Sequence, residues 1–403
     1  AAIEGATKDT NNPFFLSNSS GQGTQTLTAN YEWADEGGFD YIYCDAGNPF
    51  DVYGVFPTNL ISGGMNARLF VMSNWLAAFT MRGLRFQSGH WSVAFSNGST
   101  SATRRDLWVY DNQFEAVWGG VRLSASANSF GDPNAAGAYG DVSFLKTGAG
   151  IERVRIEYNL FKEIGRDAVS SFGDGHLNDL RIRRNRIISV CQALSTGGIY
   201  LSEAHTTNGR RGLITENFIS DVGKDNWYKG DGKALYSENK TQDMRWSRNF
   251  VHNCYSGNHV NTNLGNTLVD GNYMLNESAI TDSRFCSMGD RYYEQRAGTV
   301  WRNNFVRGVD HFYRDVATGY GSPYRASLAF LSNVGVRTGS TTGKYPWMSK
   351  ESKDRNWMRM DGNRFHGFSA ELWNVGTDND SYGSTNLTAL CLNHSSSDPT
   401  AAL

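Results

Sequence analysis

The stretches VRIEYNLFKEI (residues 154–164), LRIRRNRIISV (180–190) and GLITENFISDV (212–222) repeat one short pattern. Each has an asparagine with an apolar residue three positions before it and another two positions after it. Five further segments repeat it: LWVYDNQFEAV (107–117), MRWSRNFVHNC (244–254), TLVDGNYMLNE (267–277), TVWRNNFVRGV (299–309) and MRMDGNRFHGF (358–368). Eight copies of one pattern indicate a repeat architecture rather than eight unrelated turns.

The aligned asparagines give the length of the repeat. They are Asn112, Asn159, Asn185, Asn217, Asn249, Asn272, Asn304 and Asn363. By subtraction, successive asparagines are 47, 26, 32, 32, 23, 32 and 59 residues apart. The shorter steps fit one coil of a parallel β-helix, and the two long steps predict loop insertions near residues 130–150 and 314–356. A ninth copy, FTMRGLRFQSG (79–89), has Leu84 in place of the asparagine.

The pattern has a physical explanation in a stacked fold. The flanking apolar residues would point inward, and an asparagine at the bend tolerates left-handed backbone geometry. Its amide could donate to the asparagine of one neighbouring coil and accept from the other, so that buried polar groups stay satisfied. We therefore predict an all-β fold, a single-stranded right-handed parallel β-helix over residues 71–375. Residues 1–70 would form early coils or a cap, and residues 376–403 a tail or cap.

The apolar-x-x-Asn-x-apolar ladder, with GGIYLSE (197–203) and GKALYSE (232–238) between its copies, resembles the pectin-lyase-like right-handed β-helix superfamily. The resemblance covers roughly residues 79–368. That superfamily includes polysaccharide lyases, several glycoside hydrolases and the trimeric tailspike depolymerases of phages. The resemblance implies a polysaccharide or oligosaccharide as substrate but leaves the reaction open, because many activities share this scaffold.

Composition excludes several other classes of protein. A formal net charge of −2 and a pI near 6.5 give no indication of a nucleic-acid partner. No apolar run is long enough to span a membrane. The five cysteines (Cys44, Cys191, Cys254, Cys286 and Cys391) have neither metal-site spacing nor the pattern of a disulfide framework. We expect an extracellular protein, either secreted or virion-associated, and we assign no metal ligands; Ca²⁺ is a possible cofactor, as one of the cations that could neutralise a sugar carboxylate in a lyase.

Two glutamates are the strongest catalytic candidates. The segments GGIYLSEAH (197–205) and DGKALYSENK (231–240) align with Ser202-Glu203 over Ser237-Glu238. Because neighbouring strands lie about 4.8 Å apart, Glu203 and Glu238 would stack directly. Carboxyl groups about 5 Å apart suit a retaining glycosidase, with one as acid and the other as nucleophile. The alternative is a pair of exposed turn glutamates that point apart.

Further candidates surround this pair on the same coils. Asp231 and Asp243 would support the catalytic carboxylates. The predicted glycan-binding residues are aromatic rings, histidines and basic side chains: Trp227, Tyr228, Tyr236, Lys240, His205, His259 and Arg245. Arg291 and Tyr292, in MGDRYYEQR (288–296), would either extend the groove or belong to a salt-bridged surface loop.

The same coils also support other functions. Arg245, Lys240, His259 and Tyr236 include the cation and the base that β-elimination from a uronic acid requires. A partial row of arginines four positions before the asparagines would face outward: Arg155, Arg181, Arg245 and Arg359. This row would either bind an acidic glycan or cover the sheet in a homotrimer. The sequence therefore predicts a glycoside hydrolase, with a polysaccharide lyase or a glycan-binding tailspike or adhesin as alternatives.

Overall fold

The computed structural model describes parts of the chain between residues 7 and 383. The described ranges are 7–9, 12–17, 33–36, 39–42, 68–73, 78–97, 103–125, 150–172, 176–191, 197–202, 212–223, 232–238, 241, 243–260, 267–277, 280–288, 299–315, 328–337, 346–349, 358–368, 371–375 and 380–383. Every regular element within these ranges is a β-strand.

The strands that precede the asparagines pair in parallel as the first sheet. In order they are β6 (Phe79–Arg82), β8 (Arg104–Tyr110), β10 (Gly150–Glu157), β14 (Arg181–Arg183), β17 (Gly212–Thr215), β20 (Met244–Ser247), β23 (Leu268–Asp270), β26 (Thr299–Arg302), β29 (Leu328–Leu331) and β32 (Met358–Asp361). The short β13 (His176–Asn178) also pairs with β10.

The strands that follow the asparagines form the second sheet. They are the first parts of β7 (Arg85–Asn97) and β9 (Gln113–Ala125), then β11 (Leu160–Ile164), β15 (Arg186–Val190), β18 (Phe218–Ser220), β21 (Phe250–His252), β24 (Tyr273–Leu275), β27 (Phe305–Arg307), β30 (Val334–Val336) and β33 (Arg364–His366).

The third sheet completes each coil. It contains β5 (Arg68–Ser73), the later parts of β7 and β9, β12 (Val169–Phe172), β16 (Gly197–Ser202), β19 (Lys233–Glu238), β22 (Ser256–Val260), β25 (Arg284–Met288), β28 (His311–Asp315), β31 (Trp347–Ser349) and β34 (Glu371–Val375). Three stacked parallel sheets confirm the predicted single-stranded parallel β-helix, and their topology is consistent with the right-handed form.

The remaining described strands pair antiparallel. β1 (Thr7–Asp9) pairs with β2 (Asn12–Ser17), β3 (Trp33–Glu36) pairs with β4 (Phe39–Ile42), and β35 (Asp380–Gly383) pairs with β34. The other residues of 1–67, those after 383, and residues 126–149, which hold the first predicted insertion, lie outside the described residues. The predicted domain limits therefore stay a prediction.

The second predicted insertion, near residues 314–356, is wrong for part of its length. Strands β29, β30 and β31 lie within it, and each pairs with its sheet in parallel. This coil carries a ninth asparagine, Asn333, which the pattern missed because Gly335 occupies the apolar position after it. A Cβ at Gly335 would lie 2.7 Å from the ring of Phe365, so the glycine makes room for the neighbouring ring.

A continuous ladder of asparagine side chains runs along the helix. Each Nδ2 donates to Oδ1 of the next asparagine at 2.9 to 3.0 Å, from Asn112 through to Asn363. The same Oδ1 also accepts the backbone N–H of the preceding asparagine, and Nδ2 also reaches a first-sheet carbonyl one coil back, as from Asn217 to Ile182 at 3.0 Å. These buried amides are therefore satisfied on both sides, as predicted.

We expected the asparagine of each bend to have the left-handed backbone conformation, and this is wrong. The residue before the asparagine has it instead. Examples are Tyr158 (φ 59°), Arg184 (φ 55°) and Glu216 (φ 59°). Placing the strain one residue earlier leaves the asparagine side chain directed into the stack, whereas the preceding residue faces outward. The sixteen predicted apolar residues that flank the eight asparagines are all at most 3% exposed, which confirms that they form the core.

The ladder gives a reciprocal test. Asn217→Leu removes two amide donors and an acceptor from a buried site, so we expect a loss of about 3 kcal/mol in the free energy of unfolding. Leu84→Asn should raise the free energy of unfolding by about 1 kcal/mol. Leu84 is 47% exposed, so little burial is lost, and its backbone N–H already donates to Asn112 Oδ1 at 3.0 Å, so a new asparagine would extend the ladder. Thermal unfolding of both variants measures this, and a stabilised Asn217→Leu protein would contradict the role of the ladder.

The core also predicts thiol reactivity. Cys254 and Cys286 are buried outside disulfides, and burial raises the pKa of Cys254 to about 12 and that of Cys286 well above its usual range. Since the thiolate is the nucleophile, iodoacetamide at pH 8 should leave both unmodified in the folded protein and alkylate both after unfolding. Peptide mass spectrometry measures the difference, and rapid alkylation of the native protein would argue against this core.

Candidate functional site

The third sheet carries the predicted catalytic segments, but in a different register. Ser202 pairs with Glu238, and Leu201 pairs with Ser237, so the predicted stacking of Ser202 over Ser237 is wrong by one residue. The two segments are therefore offset by 36 positions rather than 35. Glu203 lies outside the described residues, as does the side chain of Glu238, so their catalytic role stays a prediction.

Most of the other predicted site residues also lie outside the described part of the chain. They are Asp231, Trp227, Tyr228, Lys240, His205, Arg291 and Tyr292, together with the side chain of His259. Tyr236 is described: its ring lies 5.0 Å from that of Tyr200, and it pairs in register with His259 on the next strand. The third sheet thus brings together two members of the predicted elimination set.

Arg245 does not share this face. It lies on β20 of the first sheet, where its Nη2 is 3.1 Å from Oδ2 of Asp270. The first and third sheets face each other across the core, because Trp301 Nε1 on β26 donates to Asn258 Oδ1 on β22 at 3.2 Å. Their outer surfaces therefore lie on opposite sides, and the expectation that Arg245 joins Tyr236 in one groove is wrong. Asp243, with φ 55°, lies just before β20.

The predicted arginine row on the first sheet is confirmed as a row. Arg155 pairs with Arg181, Arg181 with Leu213, and Leu213 with Arg245. These arginines have carboxylate partners within the chain: Arg155 and Arg181 both approach Asp179, at 2.8 and 3.4 Å. The row is thus part of an ion-pair lattice over the first sheet, and both its glycan and trimer interpretations stay predictions.

A polar cluster that sequence reasoning had not found lies where the third sheet begins, around Asp282. The Asp282 carboxylate accepts the Tyr255 hydroxyl at 3.2 Å, lies 3.4 Å from Nε2 of His311 and forms an ion pair with Arg314. Its backbone N–H donates to the Asp310 carboxylate at 2.7 Å. We name Tyr255, Asp282, His311 and Arg314 the Asp282 cluster.

Two rows of register-aligned third-sheet residues lead into the Asp282 cluster. One row contains Lys233, Ser256, Arg284 and His311, and the other contains Tyr200, Tyr236, His259, Ser287 and Arg314. The rows converge, because the hydroxyls of Ser256 and Ser287 lie 3.2 Å apart and Lys233 Nζ lies 4.6 Å from the centre of the Tyr236 ring.

A break in strand alternation explains why these rows converge. In β25 the consecutive residues Phe285 and Cys286 are both buried in the core, at 1% and 0% exposure. The residues on either side, Arg284 and Ser287, are therefore both directed away from the apolar core. Cationic, hydroxyl and phenolic groups three positions apart can then share one strip along the sheet.

Burial shapes the electrostatics of the Asp282 cluster. Burial lowers the pKa of the Arg314 guanidinium below its usual range. Arg284 lies over the Tyr255 ring at 4.5 Å, and Arg337 Nη2 lies 2.7 Å from Oδ1 of Asp310. By contrast, the Asp282 side chain is 36% exposed, so solvent reaches the carboxylate while His311, at 3%, is buried behind it. An accessible carboxylate beside basic side chains can accept hydrogen bonds from a bound ligand.

Sequence reasoning missed the Asp282 cluster because its members are scattered through three segments: Tyr255 in NCYSGN (253–258), Asp282 in TDSRFC (281–286), and His311 and Arg314 in DHFYRD (310–315). The signal was present: Arg284 and His311 occupy equivalent positions at the starts of two strands, each just before a buried phenylalanine. No group of three or more histidine, cysteine, aspartate or glutamate side chains forms a metal-ligand set within the described ranges. The predicted role of Ca²⁺ therefore stays a prediction.

No known protein family matches this chain, and a search of curated proteins finds no similar sequence. The parallel β-helix therefore rests on the structure, and membership of the superfamily that it resembles stays a prediction. In the part of the chain that the structure describes, no helix is long and apolar enough to cross a membrane.

A matched pair of variants tests the Asp282 cluster. Asp282→Asn keeps a residue that tolerates the left-handed backbone (φ 64°) and an oxygen that can accept the Tyr255 hydroxyl, but it removes the charge that pairs with Arg314. We expect a loss of about 1 to 2 kcal/mol in unfolding free energy at neutral pH. The control is Asp111→Asn, with φ 58° and only an exposed partner, Arg82, at 3.7 Å. Equal thermal midpoints for the two variants would refute a strong cluster at Asp282.

Proposed function

We propose that the protein is a polysaccharide depolymerase whose glycan lies along the outer side of the third sheet, beside the Asp282 cluster. The observation that carries this proposal is the convergence of the two polar rows at Asp282. A β-helix presents equivalent positions once per coil, so a polar strip along its axis suits a polymer with a regular repeat. The exposed Asp282 carboxylate lies where the strip is open to solvent.

Glycoside hydrolysis is the first candidate reaction. It requires one carboxyl group to protonate the leaving oxygen and a second to act as nucleophile or to activate water. Glu203 and Glu238 would supply this pair, supported by Asp231. Ser202 pairs with Glu238, so the two segments lie on adjacent strands, but Glu203 is offset by one residue from Glu238.

A uronic-acid lyase is the second candidate, and a specific observation favours it. Tyr236 and His259 are register partners, and Lys233 lies against the Tyr236 ring. In β-elimination a base removes the proton beside the sugar carboxylate, a cation stabilises the resulting negative charge, and the glycosidic oxygen leaves with a proton from an acid. Tyr236 or His259 would be the base, and Lys233 would be the cation.

One assay separates hydrolysis from elimination. The protein is incubated with capsular, algal and plant polysaccharides, and both reducing ends and ultraviolet absorbance are recorded. Hydrolysis should give reducing ends without absorbance and should be abolished in Glu203→Gln and Glu238→Gln. Elimination should give absorbance from the unsaturated sugar and should fall at least about a hundredfold in either Tyr236→Phe or His259→Ala, whichever removes the general base.

The matched control for the carboxylate variants is Glu277→Gln. Glu277 is 66% exposed and lies beside His252 of the second sheet, away from the proposed glycan face. The Glu277→Gln variant should have the same activity as the unaltered protein. Retention of a polysaccharide without any cleavage would contradict the enzyme and would favour a virion-associated or secreted glycan-binding protein, whose homotrimeric state ultracentrifugation would measure.

A further inference from the structure

The first sheet carries a hollow of about 490 Å³ on the side opposite the proposed glycan face. It spans four successive coils, those of Asn217, Asn249, Asn272 and Asn304. Its lining is Leu213, Thr215, Arg245, Ser247, Arg248, Asp270, Gly271 and Asn303. This volume lies within the range of about 300 to 1,000 Å³ that is usual for small-molecule sites.

Small side chains at one register position create the hollow. The row two positions before the asparagines contains Arg183, Thr215, Ser247 and Asp270 in consecutive coils. Thr215 and Ser247 are short and 7% and 3% exposed, and their hydroxyls are 3.3 Å apart. They form a low polar floor between the longer side chains on either side. The hollow is therefore built into the sheet itself.

The walls of the hollow carry more positive than negative charge. Asp270 serves both Arg245 and Arg302, at 3.1 and 3.2 Å. Glu216 in the same way serves both Arg184 and Arg248, at 2.7 and 2.8 Å. Among the lining residues themselves, two guanidinium groups, those of Arg245 and Arg248, face one carboxylate, that of Asp270. The hydrogen bond from Arg184 holds the pKa of Glu216 below its usual range, so this carboxylate stays ionised in mild acid.

The hollow also has more donors than acceptors. The Asp270 carboxylate already accepts from Arg245, Arg302 and Asn303. The Nε of Arg245 is buried and has no hydrogen-bond partner among the described residues. Arg248, whose side chain is 67% exposed, extends at the rim. A ligand that brings acceptor oxygens and negative charge would complement this arrangement, and a guanidinium fork suits a carboxylate or sulfate.

We propose that this hollow is a second, non-catalytic glycan site that binds one or two sugar units of an acidic polysaccharide. The inference rests on the proposed function, because it takes the ligand to be a segment of the same polymer that is cleaved on the third sheet. Arg245 and Arg248 would hold the sugar carboxylate or sulfate, and the Ser247 and Thr215 hydroxyls would face its ring oxygens. Binding on the far side would keep a long polymer attached between cleavage events.

A matched pair of arginine variants tests the hollow. Arg248→Asn removes the rim guanidinium and keeps a residue suited to the left-handed backbone (φ 54°). Arg184→Asn is the control, because Arg184 has φ 55° and the same partner, Glu216, but does not line the hollow. Affinity for oligogalacturonate, oligoalginate and dextran sulfate fragments, with neutral dextran as reference, is measured by calorimetry at two salt concentrations.

We expect Arg248→Asn to weaken binding of an acidic fragment about fivefold and Arg184→Asn to change it less than twofold. Ser247→Leu, which fills the floor without altering charge, should weaken binding as well. All three should cleave short oligosaccharides like the unaltered protein, whereas variants of the third-sheet face should lose cleavage. Equal affinities for the two arginine variants would overturn the proposal, as would failure of every acidic probe to bind or a change in oligomeric state with Arg248→Asn.

Discussion

The amide hydrogen bond between asparagines of neighbouring coils fixes the rest of the structure. Each amide makes its bonds to the coils on both sides, as when Asn217 Nδ2 joins Asn249 Oδ1 at 2.9 Å and Ile182 O at 3.0 Å. A slip of one residue would leave buried donors and acceptors unsatisfied in several coils at once, at a cost of roughly 1 to 3 kcal/mol for each group. The ladder therefore holds the first and second sheets in register, because it lies at the bend between them. Each flanking side chain then has one fixed neighbour above and one below.

Because the coils are held in register, equivalent side chains of successive coils lie next to one another and form continuous rows on the outer surface. On the first sheet, the position two residues before the asparagine is occupied by Arg183, Thr215, Ser247 and Asp270, and that change in side-chain length produces the hollow. On the third sheet, two neighbouring buried residues break the alternation and gather the polar rows at Asp282. The core positions are apolar in coil after coil, whereas these outer positions differ between coils. Local chemistry therefore arises on the outside of a nearly uniform scaffold.

The sequence predicted the structure correctly for residues close in sequence to a ladder asparagine and less well for residues farther from one. The coils, the core rows and the arginine row were predictable because each lies within a few residues of a marked asparagine. The coil of Asn333 was missed because Gly335 replaces an apolar side chain, which only the neighbouring ring of Phe365 explains. The third sheet lies beyond turns of variable length, so similarity of the segments gave Ser202 over Ser237, whereas the backbone pairs Ser202 with Glu238. The Asp282 cluster depends on contacts between three coils, and no local pattern marks it.

The two kinds of buried polar group in this chain have different energetic consequences. The ladder is neutral, so it satisfies its hydrogen bonds without removing a net charge from water. The Asp282 cluster instead pairs the charged Arg314 with one carboxylate, and removing such ions from water costs several kcal/mol each unless pairing offsets it. Apolar residues of similar size would serve stability at least as well at such positions. Removing one partner alone is therefore destabilising, although the cluster as a whole adds little net stability compared with apolar residues of the same size.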